Sequence, residues 1–194
     1  MYGDELLVFN LTPTRAYVKI AFMLKTNICL TGFMGVGKSL TSRKLAEALH
    51  FKLIVTDKVI EQRMDLSIEE IFQDLGEPYF RKLERDVVIN ISQVNNCVID
   101  CGGGIVLNPD NIKDLKKTGL IIHLSASADQ IYENIKNTSH RPLLKGVEDV
   151  HKKIVELLEE RKPYYDQADY IICMDNKTLD EAVEEILRIK RLNE

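Results

Sequence analysis

Short, nearly continuous apolar segments alternate along this chain with longer stretches in which apolar residues recur at helical spacing. The apolar segments predict strands at 25–31, 52–55, 97–100, 120–124 and 170–174. Because strands without polar alternation fit a sheet that is covered on both faces, they favour a parallel sheet. We therefore expect an α/β fold, a three-layer α/β/α sandwich with a five-stranded parallel sheet, whose ligands bind beyond the carboxyl ends of the strands.

The helical stretches carry start and stop signals. Residues 67–70 (S-I-E-E) have the spacing of a capping box, and Gly76 ends the helix that they open. Pro78 suits the first turn of the next helix, which runs towards Gln93. Further helices are predicted from Pro109 to Gly119, over 149–161 and over 179–192.

Residues 32–39 read G-F-M-G-V-G-K-S and match the phosphate-binding pattern G-x-x-x-x-G-K-S between a predicted strand and a helix. Gly32 and Gly37 allow backbone conformations in which successive N–H groups point at an anion. The N-terminus of the helix adds the positive end of its dipole. Lys38 is placed for the β- and γ-phosphates and the Ser39 hydroxyl for Mg²⁺, so the motif predicts a nucleoside-triphosphate site.

Polar residues and glycines follow two of the other predicted strands. The second strand ends in V-T-D at residues 55–57, and the third leads into D-C-G-G-G at residues 100–104. Three glycines at the exit of a strand either let a substrate approach the backbone closely or form a flexible loop.

Several arginines suit either a binding site or the protein surface. Arg81 lies three residues before Glu84, within reach of an ion pair. Arg141 and Arg161 each stand shortly before a proline. The histidines lack the spacing of metal ligands, so we expect His123 at a strand end and the others, His50, His140 and His151, on the surface.

Composition narrows the class of protein. The 194 residues, 45% hydrophobic and 29% charged, suffice for one globular domain, expected at 23–194. Residues 1–22 fit a loose extension, a mis-set start or an extra element docked on the sheet edge. The net charge of −4 argues against binding to nucleic acid or to anionic membranes. Four cysteines without metal spacing indicate reduced, mostly buried thiols in a cytoplasmic protein.

Together, these motifs resemble the shikimate kinase family over most of the chain, from about Asn27 to beyond Met174. The resemblance rests on the phosphate loop, Asp57, S-I-E-E-I-F at 67–72, G-E-P-Y-F-R at 76–81, G-G-G at 102–104, R-P-L-L at 141–144 and R-K-P-Y-Y at 161–165. It implies a P-loop kinase with a mobile lid at about 137–147 that transfers the γ-phosphate of ATP to the 3-hydroxyl of shikimate. The products would be 3-phosphoshikimate and ADP, on the route to chorismate and the aromatic amino acids.

The resemblance also implies roles for individual residues. Lys38, Asp57 and Arg141 would act in catalysis, Asp57 by binding the shikimate hydroxyls and taking a proton, and Arg141 by closing onto the phosphates with the lid. The ATP phosphates would be held by Gly35, Val36, Gly37, Lys38, Ser39 and Leu40, Mg²⁺ by Ser39, the shikimate carboxylate by Arg81 and Arg161, and the ring by Gly103, Phe72 and Phe80.

The chain departs from the family pattern in three places. Val55 stands where the family usually has an aspartate that supports Mg²⁺, and Asp100 and Cys101 replace a small residue and a threonine. We therefore hypothesise that Asp100 compensates for Val55 by holding a Mg²⁺-bound water, although Asp100 also suits a loop cap. Only Lys177 is available where the family often has an arginine beside the adenine.

Two other functions stay open at this point. One is a kinase for another small polyol acid, such as gluconate. The other is a nucleotide-binding relative with impaired catalysis, for which Val55 is the main argument. The resemblance suggests a monomer, and in each case we expect a protein that binds small molecules rather than nucleic acid or membranes.

Overall fold

The computed structural model describes residues 25–136, 144 and 146–193. Its strands form one parallel sheet in the order β2-β3-β1-β4-β5. They are β1 (Asn27–Gly32), β2 (Lys52–Val55), β3 (Cys97–Asp100), β4 (Gly119–Ser125) and β5 (Tyr170–Cys173). The predicted sheet is confirmed, and each strand end lies within two residues of its prediction. The predicted extension at 1–22 and most of the predicted lid at 137–147, including Arg141, lie outside the described residues.

Helices follow the strands and complete the α/β fold. They are α1 (Lys38–Leu49), α2 (Thr56–Met64), α3 (Ile68–Asp74), α4 (Glu77–Ile91), α5 (Pro109–Thr118), α6 (Ala128–Ile135), α7 (Val150–Tyr165) and α8 (Leu179–Arg191). The capping box predicted at 67–70 is present at the start of α3. No helix in the described part of the chain has both the length and the apolar character that a bilayer crossing requires.

Two helices were missed and one was predicted too short. Helix α2 starts directly at the end of β2, with Val55 as its N-cap residue, so neither a loop nor a capping side chain announces it. Helix α6 does carry a signal, because Ser127 caps it and Ile131 and Ile135 are buried one turn apart. Helix α7 passes the predicted end at 161 and continues through Pro163, which removes only one backbone donor near its last residue.

Alternate residues of the sheet pack against two hydrophobic clusters. On one face Cys29 and Ile121 contact the cluster that includes Val87 of α4. On the other face Ile28 and Ile122 contact residues of α1 and α8. A sheet that is buried on both faces explains the continuous apolar runs of the sequence.

The burial of the four cysteines and the position of His123 can be compared with the predictions. Cys29, Cys97 and Cys101 are free and buried, as predicted, whereas Cys173 is free and exposed. The expectation that His123 lies at a strand end was wrong. It lies within β4, is buried and stacks on Tyr165 with ring centroids 4.2 Å apart.

Asn27 joins the first strand to two neighbouring segments through a buried amide. Its Nδ2 donates to the Val94 carbonyl at 2.6 Å and to the Thr118 hydroxyl at 3.1 Å. Its Oδ1 accepts from the Cys97 N–H at 2.9 Å. These bonds anchor β1 at the end opposite the phosphate loop, because Asn27 is its first residue.

We predict that Asn27→Leu lowers the free energy of unfolding by about 2 to 3 kcal/mol, because buried hydrogen-bonding groups lose their partner. Urea denaturation measures the change. Asn95→Ala is the matched control, because its side-chain bond to Thr26 is exposed, and it should change stability by less than about 0.5 kcal/mol. Equal losses in the two variants would contradict the anchoring role.

Candidate active site

The phosphate loop connects β1 to α1 and has the backbone conformation that its glycines permit. Gly35 and Gly37 have φ angles of 79° and 97°, in the left-handed region that side chains rarely adopt. A Cβ at Gly35 would also overlap the side chain of Ile135 in α6. The Asn134 Nδ2 of the same helix donates to the Gly35 carbonyl at 2.9 Å, so α6 supports the loop from outside.

The Lys38 side chain folds back over this loop. Its Nζ donates to the carbonyls of Gly32 at 2.9 Å and Phe33 at 3.0 Å. These contacts place the ammonium group directly above the curve of the loop, where a phosphate chain would lie.

Two cavities open side by side at the carboxyl edge of the sheet. The larger, of about 660 Å³, is lined by the arginines and both phenylalanines of the predicted acceptor site. The smaller, of about 490 Å³, is lined by the phosphate loop, with Asp57 and Asp100. Both cavities share the same residues at their junction: Met34, Ser39, Val55, Asp57, Gly102 and Gly103. A nucleotide phosphate and an acceptor can therefore meet at this junction.

Most of the predicted site residues lie at one or both cavities. The smaller cavity contains Gly35, Gly37, Lys38, Ser39, Leu40, Asp57, Asp100 and Gly103, and the larger one contains Ser39, Asp57, Arg81, Gly103 and Arg161. Among the predicted site residues that the structure describes, Val36 is the exception, since its side chain is buried in the hydrophobic core and only its backbone can face a phosphate. Lys177 pairs with Glu185 at 2.8 Å and lines neither cavity.

Asp57 sits in the first turn of α2, at the junction of the cavities. Its Oδ1 is buried and has no hydrogen-bond partner among the described residues. Burial raises the pKa of this carboxyl, and the nearby Lys38 ammonium acts in the opposite direction. A buried carboxylate with an open acceptor position is suited to receive the proton of a hydroxyl group.

Arg81 projects from α4 into the larger cavity and is held by two carboxylates of its own helix. Its Nη1 donates to Glu84 at 2.9 Å, and its Nε and Nη2 donate to Glu77 at 3.1 and 2.7 Å. These bonds occupy three of the five N–H donors of a guanidinium group. The group is thus fixed in place and can still donate to an anion.

Arg161 reaches the same cavity from α7. It is only 4% exposed, and its guanidinium carbon lies 5.6 Å from the centre of the Phe33 ring. Its Nη1 donates to the Gly103 carbonyl at 3.4 Å, while its Nε finds no acceptor within the described part of the chain. A nearly buried guanidinium with an unused donor favours an anionic ligand over a surface role.

The glycines at 102 and 104 have a role that the sequence analysis did not foresee. A Cβ at Gly102 would overlap Asp57 Oδ1 and lie 3.2 Å from Glu84 Oε1. A Cβ at Gly104 would overlap the guanidinium group of Arg81. The glycines therefore give these charged side chains room to pack against the backbone. A Cβ at Gly103 would lie no closer than 3.8 Å to any of its neighbouring atoms, so Gly103 is the one that leaves space for a ligand.

Two aromatic rings form the apolar wall of the larger cavity. Phe72 of α3 and Phe80 of α4 have ring centroids 4.8 Å apart. Arg81 lies 5.2 Å from the centre of the Phe80 ring. An apolar wall beside a cationic group suits a small, ring-shaped acid.

Asp100 and Ser39 could hold a metal ion at the smaller cavity. The Ser39 side chain forms a hydrogen bond with the Asp100 carboxylate, and the pKa of Asp100 is raised by burial and lowered by Lys38. No group of three or more His, Cys, Asp or Glu side chains that could bind a metal occurs in the described ranges. The two oxygen donors of Ser39 and Asp100 fit Mg²⁺, because proteins bind this ion through one or two side chains together with substrate phosphates.

Glu84 is the site residue that sequence analysis undervalued. It is 1% exposed, and its Oε1 lacks a hydrogen-bond partner among the residues described. Burial raises the pKa of Glu84 from 4.5 to about 7, although the Arg81 guanidinium acts against this change. Its position three residues after Arg81 was visible, but its burial depends on packing against Gly102.

The raised pKa of Glu84 predicts that the contribution of this residue to the free energy of unfolding falls as the pH rises. The folded state keeps the Glu84 proton up to about pH 7, whereas the unfolded state loses it near pH 4.5, so folding becomes less favourable between these values. At about 1.4 kcal/mol per pKa unit, the wild type should lose about 2 to 3 kcal/mol more than Glu84→Gln between pH 5 and pH 8. Urea denaturation at both pH values measures the difference.

The exposed Glu47→Gln serves as the control and should keep the pH dependence of the wild type. If the stability of Glu84→Gln runs parallel to that of the wild type over this range, Glu84 does not hold a proton in the folded state.

Comparison with known proteins assigns the family. The model of the shikimate kinase family matches residues 34–190. A shikimate kinase from Caldanaerobacter subterraneus subsp. tengcongensis is 52% identical over 162 residues, which cover 84% of this chain and 94% of that protein. One from Thermoanaerobacter pseudethanolicus is 44% identical with the same coverage of both.

Solved structures agree with this assignment. The shikimate kinase from Acinetobacter baumannii, in complex with shikimate, has a TM-score of 0.80 at 30% identity and covers 90% of this chain and 98% of its own. A gluconokinase from Sinorhizobium meliloti has a TM-score of 0.54 at 16% identity over 88% of this chain and 94% of its own, which indicates a shared fold only. By sequence over most of its length, this chain is a member of the shikimate kinase family.

Proposed function

We propose that this protein phosphorylates the 3-hydroxyl of shikimate with ATP and releases 3-phosphoshikimate and ADP. One observation carries the proposal. The cavity of the phosphate loop and the cavity of Arg81 and Arg161 join at Asp57. A triphosphate end and a small acid can therefore be brought together in a single site.

The phosphate loop supplies the nucleotide side of the reaction. The backbone N–H groups from Gly35 to Leu40 and the Lys38 ammonium would bind the phosphates of ATP. Lys38 would then turn from its loop carbonyls to the β- and γ-phosphates and neutralise the charge that develops during transfer.

The two arginines supply the acceptor side. Each can donate to the carboxylate of shikimate, because Arg81 keeps two N–H donors and Arg161 has an unused Nε. Phe72 and Phe80 would face the ring, and the Gly103 backbone would approach it most closely.

Asp57 would accept the proton that the acceptor hydroxyl loses during the reaction. The 3-hydroxyl oxygen forms a bond to the γ-phosphorus as the bond from that phosphorus to the bridging oxygen of ADP breaks. The hydroxyl proton passes to Asp57, whose unpartnered Oδ1 is buried at the junction. Excluding water from this junction protects ATP from hydrolysis.

The remaining roles are also proposals. Ser39 and Asp100 would hold Mg²⁺, which when bound offsets the negative charge of the phosphates. Arg141, outside the described residues, would approach the phosphates with the predicted lid. We further propose that the protein is a cytoplasmic monomer. Its mass in solution can be measured by sedimentation.

Two rival functions make different predictions. A kinase for another polyol acid would prefer an acceptor such as gluconate. A relative with impaired catalysis would bind ATP without turnover. The buried Arg161, set beside Gly103 and an aromatic wall, favours a compact ring acid over an open-chain one.

A coupled assay of ADP release tests the proposal. Shikimate should support turnover, and gluconate or water should support less than about one hundredth of it. Lys38→Met, which removes the ammonium group, serves as the inactive control. ATP binding without shikimate-dependent ADP release at saturating Mg²⁺ would refute the proposed function, and preference for gluconate would favour the first rival.

We predict that Arg81→Ala raises the KM for shikimate roughly thirtyfold, because a charge-assisted contact is worth about 2 kcal/mol. Gly104→Ala should raise the KM as well, because its new methyl group overlaps the guanidinium of Arg81. If Gly104 acts only through Arg81, the second substitution adds little in the Arg81→Ala background.

Steady-state kinetics of the two single variants and the double variant make this comparison. The KM for ATP should change less than threefold in all of them and is the internal control. Effects on the shikimate KM that multiply in the double variant would show that Gly104 acts independently of Arg81.

A further inference from the structure

We propose that Asp100, positioned by Ser42, is the carboxylate partner of Mg²⁺ in this protein. The inference rests on the proposed function and concerns the metal on its nucleotide side. In phosphate-loop enzymes, Mg²⁺ is held by the loop hydroxyl, here that of Ser39, together with an acidic residue. The structure identifies which acidic residue of this chain can take that place.

The candidates are the two carboxylates that line the smaller cavity, Asp57 and Asp100. Asp57 lies against Gly102, and its Oδ1 has no hydrogen-bond partner among the described residues, although Lys38 and Asp100 act on it more strongly than Glu61 and Arg81 do. Asp100 instead forms hydrogen bonds with Ser39 and Ser42. Only Asp100 is therefore placed beside the loop hydroxyl.

Val55 occupies the matching position on the next strand. Val55 of β2 and Asp100 of β3 are register partners, and each is the last residue of its strand. Both side chains line the smaller cavity. The carboxylate therefore stands on the strand that directly neighbours β1, which leads into the phosphate loop. This is one strand closer to the loop than Val55.

Ser42 orients this carboxylate from α1. Its hydroxyl is fully buried and lies 3.3 Å from both Asp100 Oδ2 and the Ser39 carbonyl. A hydrogen bond to Oδ2 fixes the carboxylate plane and leaves Oδ1 for Ser39 or a metal-bound water. Asp100 is itself only 4% exposed, and the Lys38 ammonium is near enough to act on its carboxyl group, so a cation bound here would compensate a carboxylate that has little contact with water.

The test measures metal binding without turnover. Electron paramagnetic resonance of Mn²⁺ gives the affinity of the metal for the protein–ADP complex. Asp100→Asn, which keeps the shape of the side chain and removes its charge, should weaken Mn²⁺ binding at least tenfold. Ser42→Ala should weaken it about threefold, because the carboxylate stays but loses its orientation. Affinity for ADP in EDTA should change less than threefold in both variants.

Asp110→Asn is the matched control, since it removes a negative charge from an exposed position and should leave Mn²⁺ binding unchanged. The double variant Val55→Asp/Asp100→Asn returns a carboxylate to the same edge of the sheet on β2. It should recover Mn²⁺ affinity to within about threefold of the wild type.

Wild-type Mn²⁺ affinity in Asp100→Asn would overturn the inference. So would a double variant that folds normally, by its unfolding midpoint, yet recovers no binding. These outcomes are distinct from failure of the proposed function, because they are compared with wild-type protein whose shikimate-dependent ADP release is measured in parallel.

Discussion

The arrangement of the site depends on the glycines that follow β3, because their lack of side chains lets charged groups pack directly against the backbone. At Gly102 and Gly104, the Cα atoms are covered by the carboxylates of Asp57 and Glu84 and by the guanidinium of Arg81. Burying such charges is unfavourable unless they are paired, and here Arg81 and Glu84 pair at 2.9 Å. The glycines thus allow a compact cluster of ionisable side chains to form at the edge of a hydrophobic core, where the cavity of the phosphate loop meets the cavity of the arginines.

The topology of the sheet explains why these groups meet. β1 lies at the centre, with β3 on one side and β4 on the other, so the phosphate loop leaves from the middle of the carboxyl edge. The ends of β2 and β3 are in register next to it and deliver Asp57 and Asp100. Helix α7 returns across the same edge and brings Arg161 to the Gly103 carbonyl. Ligand sites beyond the carboxyl ends of parallel strands follow from this geometry.

Much of this arrangement could be predicted from the sequence. The strands, the position of the glycine-rich loop between β1 and α1, and the capping box of α3 depend on local patterns, and these predictions are confirmed. Helix α2 could not be found in this way, because it follows β2 without a loop and begins at Val55 without a capping side chain. The structural roles of Gly102 and Gly104 could not be predicted either, because the residues that contact them belong to α2 and α4, which are distant in sequence.

The burial of Glu84 and the bond between Ser42 and Asp100 are likewise consequences of tertiary packing. The latter joins residues 58 positions apart and is invisible to any local pattern. Their chemistry, by contrast, follows from elementary principles once the positions are known. Burial raises the pKa values of both Glu84 and Asp100, whereas the Arg81 guanidinium acts against this change at Glu84, and the Lys38 ammonium and two serine hydroxyls act against it at Asp100.

We propose that the half-buried guanidinium group of Arg81 and the buried one of Arg161 bind the carboxylate of a small ring acid beside the phosphate loop. Calorimetric titration of the protein with shikimate and with its methyl ester, in the presence of ADP, measures how much the carboxylate contributes to binding. The ester retains the ring and every hydroxyl but loses the negative charge. We expect shikimate to bind roughly thirtyfold more tightly or better, since charge-assisted contacts are lost in the ester. Equal affinities for the acid and the ester would contradict the account.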